Sequence, residues 1–389
     1  MPIAPREIVM KKKLFKWHSY AGLIAFLPIL LLCLTGSFIV FKYEIDTLIR
    51  DEVVSVPVIE NQQRLSQDVL LDTIGEKFQD HEVVGWVLFQ DSERSDVVYI
   101  MPRGTSDWYH IYVNGYTGDV LSQPAQSTDN LTDWMVEFHA SFLLHETGLI
   151  IASIFSVVLV FLGISGLILH KRFWKNLFKL RTGAKRILYY SDLHKLFGAW
   201  FSPILLVLGF TGAYWNVSHL LHDLEHHLED DHFVMSEKMY GRDLSIDKLL
   251  AEASSHVSGF EATYISFPHE PGDELSLYGD VPGDSFLTSQ YANVVTYDRM
   301  TGEYLSSYDI RNAPLWHVIV DSFRKLHFGT FAGTTSRVIW LLAGLAPLIL
   351  TFSGLYIWWK RRAIRQRKKL KNQTLKQDSL IVESKQKEA

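Results

Sequence analysis

Four apolar segments, each about twenty residues long, constrain the fold of this chain more than any other feature of its sequence. An α-helix needs about 20 apolar residues to cross the hydrocarbon core of a bilayer. The segments meet that length, and they occupy residues 19–41, 147–169, 196–217 and 338–359. The sequence therefore predicts a membrane protein with four transmembrane helices.

Lysine and arginine residues flank these segments unevenly and predict their orientation. They cluster before the first segment, between the second and the third, and after the fourth, and such clusters stay in the cytoplasm. We expect both termini in the cytoplasm and two long segments outside the cytoplasmic membrane. The first apolar segment is too long for a signal peptide and lacks a small-residue cleavage site after it, so it should remain as an anchor.

This topology divides the chain into spans, loops and external modules. The polar end of the sequence, KNQTLKQDSLIVESKQKEA, predicts a disordered tail. The predicted stretches are 1–41 (cytoplasmic N-terminus and first span), 42–146 (first external module), 147–170 (second span), 171–195 (cytoplasmic loop), 196–217 (third span), 218–337 (second external module), 338–359 (fourth span) and 360–389 (basic cytoplasmic tail).

The sequence also repeats itself at an interval of about 180 residues. The external segments match as well, since YVNGYTGDVL in the first half corresponds to VTYDRMTGEYL in the second. Both halves start on the cytoplasmic side, which predicts a parallel repeat with a pseudo-twofold axis along the membrane normal. The aligned pairs are His18 with His194, Gly22 with Gly198, Thr35 with Thr211, Gly36 with Gly212, Trp134 with Trp316 and His145 with His327.

Each external module combines a segment of helical apolar spacing with short alternating strands such as VVGWVLF and ATYISFP. We expect a small antiparallel sheet packed on a helix in each module. The predicted fold is an α-helical membrane protein, a four-helix transmembrane bundle with a parallel pseudo-twofold repeat, carrying two small α+β modules.

Four histidines lie at the membrane edges in pairs that the repeat matches. A parallel pseudo-twofold axis brings equivalent residues face to face, which is the arrangement for bis-histidine ligation of haem iron in a helical bundle. His18 and His194 should face each other at the cytoplasmic edge, and His145 and His327 at the outer edge. The pattern predicts haem b, two groups per chain.

Gly22 and Gly198 each follow a paired histidine by one helical turn, so a flat macrocycle could lie against bare backbone. Small-residue packing between helices is the alternative explanation of these glycines. Other ligand sets also remain open, with His170 at the cytoplasmic edge and His139 or His219 at the outer edge. The repeat favours the matched pairs, because it aligns His139 with an aspartate.

Residues 219–232 hold a further histidine cluster, HLLHDLEHHLEDDH, which is either a transition-metal site or, as its acidic neighbours favour, a solvated helix. A single cysteine, Cys33, excludes an intrachain disulfide, an iron–sulfur cluster and covalent haem attachment within the chain. The sequence lacks the glycine-rich and HExxH motifs of nucleotide-binding proteins and zinc proteases. Its basic cytoplasmic and acidic external segments give no indication of a nucleic-acid partner.

The sequence resembles the PepSY-associated transmembrane proteins of bacteria over residues 15–362. The resemblance rests on the two H-x-x-x-G helix starts at His18 and His194, on the segments YTGDVL and MTGEYL, and on the four-helix layout. It implies a bacterial cytoplasmic (inner) membrane protein with two periplasmic PepSY-like modules. The best-understood members of the family look like di-haem ferrisiderophore reductases. The resemblance therefore implies haem-ligand roles for His18, His194, His145 and His327.

The resemblance and the histidine pairs together predict a transmembrane ferric reductase. An unidentified cytoplasmic reductase or a quinol would donate electrons, and a periplasmic ferric siderophore or another ferric chelate would accept them. The alternative is a non-enzymatic membrane protein whose modules bind or regulate a peptidase or an uptake permease. A transporter is disfavoured, because the spans hold neither broken helices nor charged residues.

Overall fold

The structure is a computed structural model that describes residues 5–58, 62–89, 91–170, 174, 177–229 and 233–387, without the side chains of 5–8, 222–223, 225–229 and 376–387. Helices dominate it. They are α1 (Pro5–Ile39), α2 (Lys42–Val54), α3 (Gln67–Lys77), α4 (Leu131–Ser141), α5 (His145–Leu169), α6 (Arg186–Glu229), α7 (Ile246–His256), a 3₁₀ turn (Ile310–Asn312), α8 (Leu315–Phe328) and α9 (Gly333–Lys387).

The chain forms two compact units. Residues 1–34, 152–213 and 342–389 make up the first, and residues 35–151 and 214–341 make up the second. The long apolar helices fill the first unit, whereas the second unit holds the β-sheet, whose strands are β1 (His81–Val87), β2 (Asp96–Pro102), β3 (Tyr109–Val113), β4 (Glu261–Ser266), β5 (Leu275–Asp280), β6 (Asn293–Tyr297) and β7 (Tyr304–Tyr308).

Four helices among the described residues are long and apolar enough to cross a membrane, as the sequence predicts. They extend beyond the predicted spans, because polar residues continue each helix at one or both ends. Their candidate spans are Val9–Ile39, His145–Leu169, Arg186–Leu221 and Gly333–Leu375.

Small residues line the interior of the first unit, and large apolar residues cover its surface. Ala25, Ala199 and Ala343 are buried, while Ile24 is 76% exposed and Phe352 62% exposed. Transmembrane helices associate through close backbone approach at small residues, and lipid is the solvent for the exposed apolar side chains. This distribution is the one expected for a bundle surrounded by lipid.

A single seven-stranded antiparallel sheet forms the centre of the second unit, in the order β3-β2-β1-β4-β5-β6-β7. The sequence predicts a separate small sheet for each module, and the structure differs because β1 and β4 pair with each other. Trp86 of β1 lies opposite Ile265 of β4, and both side chains are fully buried. An isolated edge at β1 would leave its buried residues and backbone groups without partners.

Helices α3 and α7 of the second unit cap each other. The Asp247 carboxylate accepts hydrogen bonds from the backbone N–H groups of Gln67 (2.9 Å) and Asp68 (3.0 Å). The Asp68 carboxylate accepts one from the backbone N–H of Ile246 at 2.6 Å and one from the Ser245 hydroxyl at 2.5 Å. Negative charge at a helix N-terminus stabilises the helix, so these two equivalent segments of the repeat stabilise one another.

The predicted loop 171–195 and the predicted tail 360–389 are more helical than the sequence predicts. Helix α9 continues to Lys387 through the tail that is predicted to be disordered, because no glycine or proline follows Gly354 to end it. Helix α6 begins at Arg186, inside the predicted loop 171–195. Most of residues 171–176 lie outside the described part of the chain.

Candidate functional site

His18 and His194 face each other inside the first unit. His18 lies on α1 and His194 on α6, and their ring centroids are 6.5 Å apart with the ring planes at 88°. The repeat predicts this juxtaposition, since the two residues hold equivalent positions near the starts of equivalent helices.

One nitrogen of each imidazole is held by the neighbouring helix. The Nδ1 of His18 lies 2.7 Å from the Ser165 hydroxyl, and the Nδ1 of His194 lies 3.0 Å from the Ser353 hydroxyl and 3.0 Å from the Leu350 carbonyl oxygen. A carbonyl oxygen only accepts, so Nδ1 of His194 carries the proton and Nε2 presents a lone pair. This is how proteins orient a metal-ligating histidine.

A glycine follows each of the supporting serines and makes room for the imidazole. A Cβ atom on Gly166 would lie 3.5 Å from Cε1 of His18, and one on Gly354 would lie 3.3 Å from Cε1 of His194. The sequence carries a signal for this support, namely the Ser-Gly pair that ISGLIL and FSGLYI share.

Gly22 and Gly198 lie one turn from the paired histidines, and tight helix packing does not explain them. A Cβ atom on either would meet its nearest atom, in Leu162 or Leu350, at an ordinary 3.8 Å. By contrast, a Cβ on Gly163 would lie 2.8 Å from Leu206. Either position would accept a methyl group in ordinary van der Waals contact, so the packing of the protein itself does not require glycine there.

The separation of the two rings fits a metal ion between them. Imidazole nitrogens bind metals at about 2.0 Å, which puts two rings on opposite sides of one ion about 6 Å apart, centroid to centroid. The observed 6.5 Å agrees with that value. Two imidazoles at this separation are the donor set of a bis-histidine haem, so these residues fit the predicted group.

A second pair of histidines faces each other in the second unit, and its members differ from the pair that the repeat predicts. The ring of His327, on α8, lies 6.1 Å from the ring of His139, on α4, at 52°. His145 is exposed at the start of α5. The backbone is left-handed at Phe142, Leu143 and His145, so the register of α4 is not carried into α5.

Residues near the end of α1 hold His139 in place. The Thr35 hydroxyl lies 3.2 Å from Nδ1 of His139, and a Cβ atom on Gly36 would lie 2.7 Å from its Cε1. A side chain larger than hydrogen at residue 36 would displace the imidazole. The Thr-Gly pair of the first half is therefore a seat for His139.

His327 is fixed by the end of its own helix. Gly329 caps α8 in the left-handed conformation (φ 70°), and the Trp340 indole N–H donates to the Leu326 carbonyl at 2.7 Å. Burial, reinforced by the neighbouring His139, lowers the pKa of the His327 imidazole to about 3. The ring is neutral at physiological pH, which is the protonation state that binds a metal.

The remaining candidate histidines lie elsewhere. His170 is buried just after α5, and the exposed His219 lies beside Trp215 on α6, with ring centroids 6.4 Å apart. The other histidines of the 219–232 cluster fall outside the described side chains. Among the described residues, no group of three or more His, Cys, Asp or Glu side chains is arranged to hold a metal ion.

Comparison with known proteins identifies a family and a relative that the sequence of this chain matches. The model of the PepSY-associated TM region matches residues 15–361 of the chain. An uncharacterised protein of Pseudomonas aeruginosa is 28% identical over 259 residues, a match that covers 59% of this chain and 64% of that relative. The chain thus spans less than two thirds of the length of this relative.

Proposed function

This chain belongs to the family of proteins with a PepSY-associated transmembrane region, and from that premise we propose that it is a transmembrane di-haem electron-transfer protein that reduces ferric iron in siderophore complexes. The observation that carries the proposal is the presence of two facing histidine pairs. One is His18 with His194, and the other is His139 with His327.

Each pair would supply two imidazole nitrogens to hold one b-type haem. When bound, haem supplies reversible one-electron chemistry, and the protein supplies ligands, orientation and a site of low polarity. Ser165 and Ser353 orient the first pair through Nδ1. Thr35 and Gly36 orient His139 in the second pair.

We place the first pair at the cytoplasmic edge of the membrane and the second at the periplasmic edge. The lysines before α1 and the basic residues at the end of α9 support this orientation. It makes the protein a conductor of electrons out of the cytoplasm, with a cytoplasmic reductase or a membrane quinol as donor.

Reduction of the acceptor takes one electron for each iron. Fe(III) in the chelate becomes Fe(II), and the chelator keeps its oxygen donors. A quinol donor would supply two electrons, sufficient for two irons, and would release two protons. Hard oxygen ligands hold Fe(II) less tightly than Fe(III), so the reduced metal leaves the chelator for uptake.

A reduced-minus-oxidised visible spectrum of the detergent-purified protein, with haem quantified per chain, tests the proposal first. We expect b-type bands and about two haems per chain, because each histidine pair provides one complete set of axial ligands. His18→Ala combined with His194→Ala should lower the content to about one and abolish ferric-chelate reduction in vesicles. A colourless protein from cells grown with ample haem would contradict the proposal.

The exposed edge of the sheet favours a second candidate function. All five residues of β7 are exposed at the end of the sheet, and such an edge can accept a strand from a partner. A non-enzymatic protein that binds a peptidase or a permease through this edge would keep its function when His18 and His194 are both replaced. The same double variant therefore separates the two candidates.

A further inference from the structure

A cleft of about 480 Å³ lies in the second half of the second unit. It is bounded by the outer part of α6, by strands β6 and β7 with the loop before them, and by α8. Cavities of this size take small molecules rather than proteins. Its chemistry is set by Tyr214, Trp215, Tyr291, Tyr308, Trp316 and Arg324.

Aromatic rings make up much of the cleft wall and are available for contact. Trp316 is 61% exposed and Tyr308 36% exposed. Tyr214 is held by an edge-to-face contact with Phe323, at 5.1 Å between ring centroids. Rigid aromatic rings of this kind stack on planar ligands with little loss of side-chain entropy.

Arg324 is the one lysine or arginine among the described residues that line the cleft, which also holds His317 and Asp321. Arg324 lies over the ring of Tyr291 at 4.3 Å and over the ring of Phe328 at 5.2 Å. Both oxygens of the nearby Asp321 carboxylate accept hydrogen bonds from Ser289, one from its backbone N–H at 2.6 Å and one from its hydroxyl at 2.5 Å. Ser289 thus holds both oxygens of this carboxylate, which keeps its charge, and the guanidinium donors of Arg324 remain as the group of the cleft that can pair with an anion.

The corresponding region of the first half is occupied by ion pairs. Lys42 lies 2.7 Å from Asp46 and 2.8 Å from Asp133 of α4, the helix that aligns with α8. Arg50 adds a contact to Asp46 at 3.1 Å. The two halves have therefore diverged, one to a charge network and the other to an open aromatic cleft.

The cleft lies beside the second histidine pair. Val320, Arg324 and His327 share one face of α8, at spacings of four and three residues. Three residues, about 4.5 Å along the helix axis, separate Arg324 from His327. The ring of Phe328 contacts both, at 5.2 Å from the guanidinium and 5.9 Å from the His327 ring.

We infer that this cleft binds the electron acceptor, and that the acceptor is an anionic ferric chelate whose iron-binding groups are aromatic rings, catecholate or phenolate. The inference rests on the proposed function for the identity of the metal. The aromatic wall recognises the rings, and Arg324 recognises the negative charge of the complex. Uncharged, non-aromatic chelates lack both contacts.

Binding is measured without electron transfer by using gallium, which has the charge of Fe(III) but is not reduced. The probe is the gallium(III) complex of 2,3-dihydroxybenzoate, titrated into the purified full chain by calorimetry. Gallium acetohydroxamate, uncharged and non-aromatic, is the comparison ligand. The variants are Arg324→Gln, Arg324→Lys and Trp316→Ala, with Trp134→Ala and Lys248→Gln as matched controls.

Trp134 is the repeat counterpart of Trp316, and it stacks on Phe138 in the first half, at 5.3 Å between ring centroids. Lys248 is an exposed cation on α7. We expect the catecholate complex to bind at least ten times more tightly than the hydroxamate. Arg324→Gln and Trp316→Ala should each weaken it about tenfold, the first by removing a charge-assisted contact and the second by removing a stacked ring. Arg324→Lys and both controls should bind nearly as the parent does.

Equal binding of the two gallium complexes, or equal losses in Trp316→Ala and Trp134→Ala, would overturn the inference. Loss of a haem from Arg324→Gln or Trp316→Ala would also overturn it, by assigning the cleft to the cofactor. Reduction of ferric catecholate that is unchanged in these variants would refute the cleft while leaving the reductase intact. Tight binding to a haem-free protein would support the cleft and refute the reductase.

Discussion

The two histidine pairs are built differently, although the sequence presents them as equals. In the first pair, His18 and His194 are counterparts in the repeat, and matching serines on matching helices hold them. In the second pair, His139 and His327 are not counterparts, and unrelated contacts hold them. Symmetry governs the pair on continuous helices and fails where short helices and turns carry the histidines.

The largest expected effect comes from replacing His139 or His145, the two histidines that could pair with His327, one at a time. His139→Ala should remove one haem per chain and lower the rate of ferric-chelate reduction at least 100-fold, because the second site keeps a single axial ligand. His145→Ala is the matched control, since its side chain is exposed, and it should keep both haems. Haem analysis and stopped-flow reduction measure the two effects. The reverse result would restore the pairing of His145 with His327.

A smaller effect is expected from replacing the serines that contact the first pair, His18 and His194. Ser165→Ala should weaken haem retention about tenfold, and Ser353→Ala should also weaken it, because each hydroxyl orients one imidazole of the pair. The loss should be smaller for Ser353→Ala, because the Leu350 carbonyl still holds Nδ1 of His194. Transfer of haem to apomyoglobin and the midpoint potential of the inner site are the measurements. Equal behaviour of both variants would show that the carbonyl contact is not needed.

The smallest effect on activity is expected from breaking the ion pairs around Asp46 in the first half of the chain. Burial alone would raise the pKa of the Asp46 carboxyl, but hydrogen bonds from Lys42, Thr132 and Arg50 hold it below its usual value. A lowered pKa in the folded state means that this contribution to stability is complete above the pKa of the unfolded chain, about 3.9. It is lost as the pH falls through the folded-state value.

Asp46→Asn should therefore lower the free energy of unfolding by about 2 kcal/mol at pH 7 and flatten its dependence on acid. Thermal unfolding between pH 3 and pH 7 measures this, and ferric reduction at pH 7 should stay near the parental rate. Glu303→Gln is the control, as an acidic side chain outside the network. A variant with the full acid dependence of the parent would contradict the role of Asp46.

The spans and one of the two sites were predictable from local pattern. The apolar length of each segment determines a transmembrane helix without reference to neighbours, and all four predicted helices are present. His18 and His194 sit at the same place on two long helices, so the repeat alone predicts that they meet. The role of Ser165 and Ser353 was also readable, from the Ser-Gly pair that both halves share.

Other features depended on contacts between segments distant in the sequence. Whether the modules form two sheets or one depends on the pairing of β1 with β4, and the alternation within each strand is the same in either case. The aromatic cleft combines side chains from α6, β6 and α8, and its opening depends on whether charges or rings occupy the space. Neither the joining of the two sheets nor the opening of the cleft changes the spacing of apolar residues along the sequence.

The sequence by itself determined the number of spans, their apolar faces and the pairing of His18 with His194. Each of these follows from residue spacing along continuous helices. Only the tertiary structure decided that His139, rather than His145, meets His327. Three left-handed residues, Phe142, Leu143 and His145, break the helical register between α4 and α5. Spacing along the chain ceases to report direction in space wherever such a turn intervenes.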